Sequence, residues 1–98
     1  MSHATYDVAH IREQGQDMII IPVDQKVDNY TQEEQMDLQE SLQFYARDAG
    51  LRGRVCLVWQ RGNRFSFLAP KQWWPFFRSI DMNFVAANIN RRLTCESG

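Results

Sequence analysis

Few residues in this chain are of the types that carry out acid–base, nucleophilic or metal chemistry. Both histidines, His3 and His10, lie near the beginning, so only the first segment could deliver an imidazole base. Their separation matches no standard metal-ligand spacing, and Cys56 and Cys95 form no CxxC pair. Asp24 and Asp28 flank Lys26 in a polar stretch that reads as a loop, a place where catalytic groups gather. Two carboxylates act together only in a geometry that sequence does not specify. No GxGxxG, GxxxxGK[ST], GxSxG or HExxH motif occurs. The expectation is therefore no catalytic residue, no cofactor and no metal. An enzyme without a recognisable motif is the third reading.

Binding surfaces are better represented. Arg52, Arg54, Arg61 and Arg64 surround a predicted hairpin that also carries Trp59 and Phe65. Arginines interleaved with aromatics suit single-stranded nucleic acid, by neutralising phosphates and stacking bases. A nucleic-acid-binding accessory role is thus the alternative, although the aromatic strand motif of sheet-based RNA readers is missing. Charge argues the other way. Residues 1–50 hold ten acidic side chains against three basic ones, and residues 51–98 hold eight basic against two acidic. Laid side by side in one fold, such halves compensate each other, and the net charge of −1 attracts no polyanion generally.

The second surface is Trp73, Trp74, Phe76 and Phe77 around Pro75. Four large rings in five residues exceed what a short segment can bury in a small core, and Pro75 breaks regular helical spacing. At least one tryptophan and one phenylalanine are expected to stay outside as a contact patch. The leading expectation is a non-enzymatic module that binds protein or itself, most simply as a two-fold homodimer.

These residues need elements to position them. Residues 5–11 alternate, Gly15 marks a turn, and Met18–Val23 is a solid apolar run: a β-hairpin whose second strand is central, with pairing failing near Pro22. Thr31-Gln32-Glu33-Glu34 is a capping box that opens a helix over about 31–49, with Leu38, Leu42, Tyr45, Ala46 and Ala49 on one stripe. Residues 54–59 and 64–68 form a second hairpin across Gly62-Asn63. Asp81 caps a final helix bearing Val85, Ala86, Ile89 and Leu93, and residues 1–4 and 95–98 are expected to fray. The order ββαββα predicts an α+β fold: a largely antiparallel four-stranded sheet with two helices on one face. The alternative is β-α-β-β-α with residues 1–16 disordered.

Ninety-eight residues, 44% hydrophobic and 23% charged, fit one globular domain and exclude collagen-like or low-complexity chains. The longest apolar run, Met18–Val23, is far short of the roughly 20 residues a membrane helix needs. With two cysteines and no apolar segment in the first sixteen residues, a soluble, reduced, cytoplasmic domain is expected.

Overall fold

The computed structural model describes the backbone of residues 2–97 and the side chains of residues 4–95. Among these residues, five strands form one mixed sheet in the order β4-β3-β2-β1-β5. They are β1 (Ser2–Glu13), β2 (Gln16–Pro22), β3 (Arg54–Arg61), β4 (Arg64–Leu68) and β5 (Arg91–Ser97). Three helices cover the sheet: α1 (Gln32–Asp48), α2 (Trp74–Arg78) and α3 (Met82–Ala87). None of the described helices is long and apolar enough to cross a membrane.

The α+β class is as expected, but the four-stranded antiparallel sheet is corrected to five mixed strands. β1 and β2 pair as a hairpin from Glu13↔Gln16 to Ala9↔Ile20. β2 then runs parallel to β3, from Met18↔Arg54 to Pro22↔Val58, with α1 as the crossover. Both strands alternate between two buried faces, which explains why neither shows a polar side. Ile19, Ile21, Val55, Leu57 and Trp59 meet Val27, Leu42 and Ala46 beneath α1. Met18, Ile20, Cys56 and Val58 meet Phe77 and Val85 on the other side. The helices therefore lie on both faces, not one, because two fully apolar strands leave two surfaces to cover.

The final helix is also corrected. α3 stops at Ala87, and residues 91–97 form β5 antiparallel to β1. Val85, Ile89 and Leu93 do fall at helical spacing, yet Val85 packs under α3 while Leu93 reaches the α1 side of the sheet. Thr94 and exposed Arg92 alternate with inward Leu93 and Cys95, a period of two that strand pairing uses. Residues 2–8 pair with β5 and residues 9–13 with β2, which removes the alternative with a disordered beginning. Of the ends expected to fray, residues 2–4 pair with 95–97, and Met1 and Gly98 lie outside the described residues.

Local chemistry explains the connections. The capping box forms as expected: Glu34 N–H donates to Thr31 Oγ1 at 3.1 Å, and Thr31 N–H donates to Glu34 Oε1 at 2.9 Å. Gly53, just before β3, sits at φ +119, and a Cβ there would collide with the Asp17 carbonyl, 2.7 Å from its carbon. Only glycine allows the backbone of β3 to begin this close to β2.

Amide side chains complete the sheet where strands run out. β4 ends opposite Leu57, so the backbone at residues 53–55 has no strand partner on that side. Gln43, 9% exposed, donates to Gly53 O at 3.0 Å and accepts from Val55 N–H at 2.8 Å. Gln39 donates to Val55 O at 2.8 Å, and Gln35 to Val27 O at 2.9 Å. Three glutamines at i, i+4 and i+8 so fasten α1 to the main chain beneath it. Beyond β5, Asn90 does the same for β1, accepting from His10 N–H and donating to His10 O, both at 2.8 Å.

Candidate functional site

The aromatic segment packs beside the edge strand β4. Pro70 precedes a single 3-10 turn over Lys71–Trp73, and Pro75 sits in the first turn of α2, where its missing N–H has no helical partner to lose. The helical turn fans the rings outward in different directions. Phe77 is fully buried and stacks on Phe67 of β4, with centroids 5.3 Å apart. Phe76 is half-buried and meets Phe77 and Phe84 edge to face at 5.4 and 5.9 Å. Trp73 is half-buried against the same core. Trp74 is exposed: its Nε1 donates to Ala69 O at 3.0 Å, and the Arg78 guanidinium lies 5.6 Å from its ring centre.

The four rings named as the candidate interface therefore divide. Phe77 is corrected from contact residue to core, because it fills the gap between β4 and α2. A tryptophan remains outside, but no phenylalanine of the segment is fully exposed. Trp73 separates two open grooves of about 600 and 860 Å³, which share Gln16 and Gln72. A smaller recess of about 250 Å³ lies between Trp74, Arg78 and residues 67–69.

β4 is one of the two edges of the sheet. None of its residues is fully buried, whereas Val55–Trp59 of β3 all are. Arg61↔Arg64 flanks the two-residue turn and exchanges hydrogen bonds, so alternation turns the main-chain groups of Phe65 and Phe67 outward. An aromatic strand edge and an exposed indole thus lie next to each other. The sequence carries the rings but not the edge, since Arg64–Leu68 reads equally well as an internal strand.

The arginines do not gather. Arg61 and Arg64 both reach Asp28, at 3.4 and 2.8 Å, and Arg61 also donates to Asn29 Oδ1 at 2.9 Å. Arg54 begins β3 and Arg61 ends it, a separation of about 23 Å at strand rise. Arg54 shares its face with Cys56 and Val58, whereas Arg61 shares that of Trp59. Arg52 is exposed in the preceding loop, and its carbonyl lies 2.7 Å from His10 Nε2. Trp59 is only 4% exposed and donates Nε1–H to Asp28 at 3.2 Å, so it offers no face for a base. The Trp59 hydrogen bond, together with the two guanidinium groups, holds the Asp28 carboxyl below its ordinary pKa.

The remaining candidates for chemistry are also occupied. Asp24 caps the 3-10 turn over Gln25–Asn29 by accepting from Lys26 N–H at 2.9 Å. Cys56 is buried, and desolvation pushes its thiol up to about 12. His3 has no described side chain, and among the described residues no cluster of three or more His, Cys, Asp or Glu could hold a metal. Two exposed apolar side chains escape a reading of the sequence: Met36 and Phe44, 46% and 64% exposed on the outer side of α1. Their spacing off the buried stripe is the available signal. Comparison with known proteins finds no family, no curated protein and no solved structure that matches this chain.

Proposed function

We propose that this protein is a non-enzymatic module that binds protein, itself included, through the surface formed by Trp74 and the open edge of β4. One observation carries the reading: an exposed indole lies beside a strand whose outward main-chain groups face no neighbouring strand. Strand edges are recognised by strand addition, with main-chain hydrogen bonds supplying affinity and neighbouring recesses supplying selectivity. Tryptophan is among the residues most enriched where such contacts concentrate their energy. The nucleic-acid alternative is weakened here, because Asp28 pairs with both hairpin arginines and Trp59 is buried. Nothing among the described groups favours the enzyme reading, and cytoplasmic placement stays an expectation of the cysteine content.

A photoreactive phenylalanine analogue tests this, placed at position 74 or, as a control, at exposed Thr94 on the opposite edge. Irradiation is expected to give protein adducts from position 74 well above those from position 94. Equal yields from both positions, or none from 74, would overturn the reading.

A further inference from the structure

We propose that two copies of this chain pair β4 to β4, antiparallel about a two-fold axis at Ser66, and join their sheets into one of ten strands. This deepens the reading above and rests on it, since it names the occupant of the same edge.

The argument is one of register. The strand reads Arg64-Phe65-Ser66-Phe67-Leu68, which is nearly palindromic about Ser66. Its hydrogen-bonding groups alternate, and Phe65 and Phe67 are the two residues that point theirs away from β3. In an antiparallel pair centred on Ser66, Phe65 of one copy opposes Phe67 of the other, and the reverse. Both outward residues thus meet outward residues, and four main-chain hydrogen bonds form. A shift by one residue would set outward groups against inward ones, and a shift by two would pair only Phe65 or only Phe67 with its own copy within the strand, so the axis at Ser66 makes the most bonds. Self-complementarity of this kind is what an isologous contact requires.

Side chains agree with the register. Phe65 and Phe67 share the face under α2, so the pairing brings an aromatic ring of each copy beside its opposite number. Trp74 lines a recess with Phe67 and Ala69, and Phe65 of the second copy comes to the mouth of that recess. On the α1 side Arg64 opposes Leu68, which places no like charges directly opposite. Ala69 and Pro70 end the strand, and Pro70 has no N–H to donate, which limits the contact to this short stretch. The far edge is less suited. β5 opens with Arg91 and Arg92, both exposed, and charged side chains guard an edge against pairing.

Cross-linking and amide exchange test the proposal. Side chains at a pair without mutual hydrogen bonds approach within about 4.5–5.5 Å at Cβ, close to disulfide reach. Ser66→Cys, made in a Cys95→Ser background that leaves only buried Cys56, is expected to give a disulfide dimer under mild oxidation. Thr94→Cys in the same background is not. In the unmodified protein, the Phe65 and Phe67 amides should exchange several-fold more slowly as concentration rises, while those of Arg92 and Thr94 stay constant. Unchanged Phe65 and Phe67 exchange, or a dimer cross-linked at 94 instead, would overturn the proposal. Adducts at position 74 in a chain that remains monomeric would overturn it too, yet leave the protein-binding reading standing. Loss of both signals would remove both.

Discussion

The two faces of the sheet are covered in different ways. Under α1, a seventeen-residue helix lays Leu42 and Ala46 on aliphatic strand residues and fastens itself with glutamine bonds to the main chain. On the other face, helices of five and six residues are far too short to persist alone, and rings hold them: Phe77 on Phe67, and Phe76 between Phe77 and Phe84. A long helix carries its own cooperativity and needs only modest anchors. A short one owes its conformation to tertiary packing, so its aromatic content is structural before it is functional. Trp74 is the ring this packing leaves over, which is why the proposed contact surface lies on that side.

The sharpest way to break the contrast is to remove one anchor from each face. Phe77→Ala is expected to cost about 3–5 kcal/mol and to release α2 and α3 together, moving tryptophan emission to the red. Leu42→Ala falls in a range of about 2–5 kcal/mol and should leave α2 packed. Urea melts followed by fluorescence compare the two, and a greater loss from Leu42→Ala would reverse the ranking.

The glutamine bonds come next. Gln43→Ala strands the Val55 N–H and the Gly53 carbonyl inside the protein, at about 1–3 kcal/mol. Gln43→Leu restores the volume without restoring the bonds, and it should recover little of the loss. If the Gln43→Leu variant melts with the parent, the amide contributes packing alone.

The smallest effect is in pH. The Asp28 carboxyl lies below its ordinary value of 3.8, so the stability it supplies is complete above about pH 4. That contribution disappears as pH falls through the lower, folded-state value. Asp28→Asn should remove this part of the acid sensitivity and leave melting near pH 7 less stable than the parent. An acid titration in which parent and variant run parallel would show that Arg61, Arg64 and Trp59 draw nothing from the charge.

Legibility in the sequence follows the same contrast. The capping box, the helix behind it and the turn at Gly62-Asn63 are local signals, and the structure contains each of them. The unbroken apolar run of β2 marks a central strand, and β2 has a neighbour on each side. Its parallel pairing with β3 leaves no local trace, since a crossover is a relation between segments far apart in the chain. β5 is hidden because Leu93 fits a helical stripe and an alternating strand equally well. At the candidate site the residue types are visible, but which ring stays outside depends on how two short helices settle. Gln35, Gln39 and Gln43 resemble a solvated face, because a glutamine bonded to main chain looks like any other in one dimension.

The placement of β1 between β2 and β5 has a consequence for biosynthesis. One neighbour of β1 is made immediately after it, across a two-residue turn, whereas the other lies about eighty residues downstream. At ribosomal rates of about 5–20 residues per second, the nascent chain carries β1 with one side unsealed for several seconds. During that interval a growing polypeptide holds a hairpin and a helix but no finished sheet. A translation product released before Arg91 keeps that seam open permanently, which marks it for chaperones, proteolysis or aggregation.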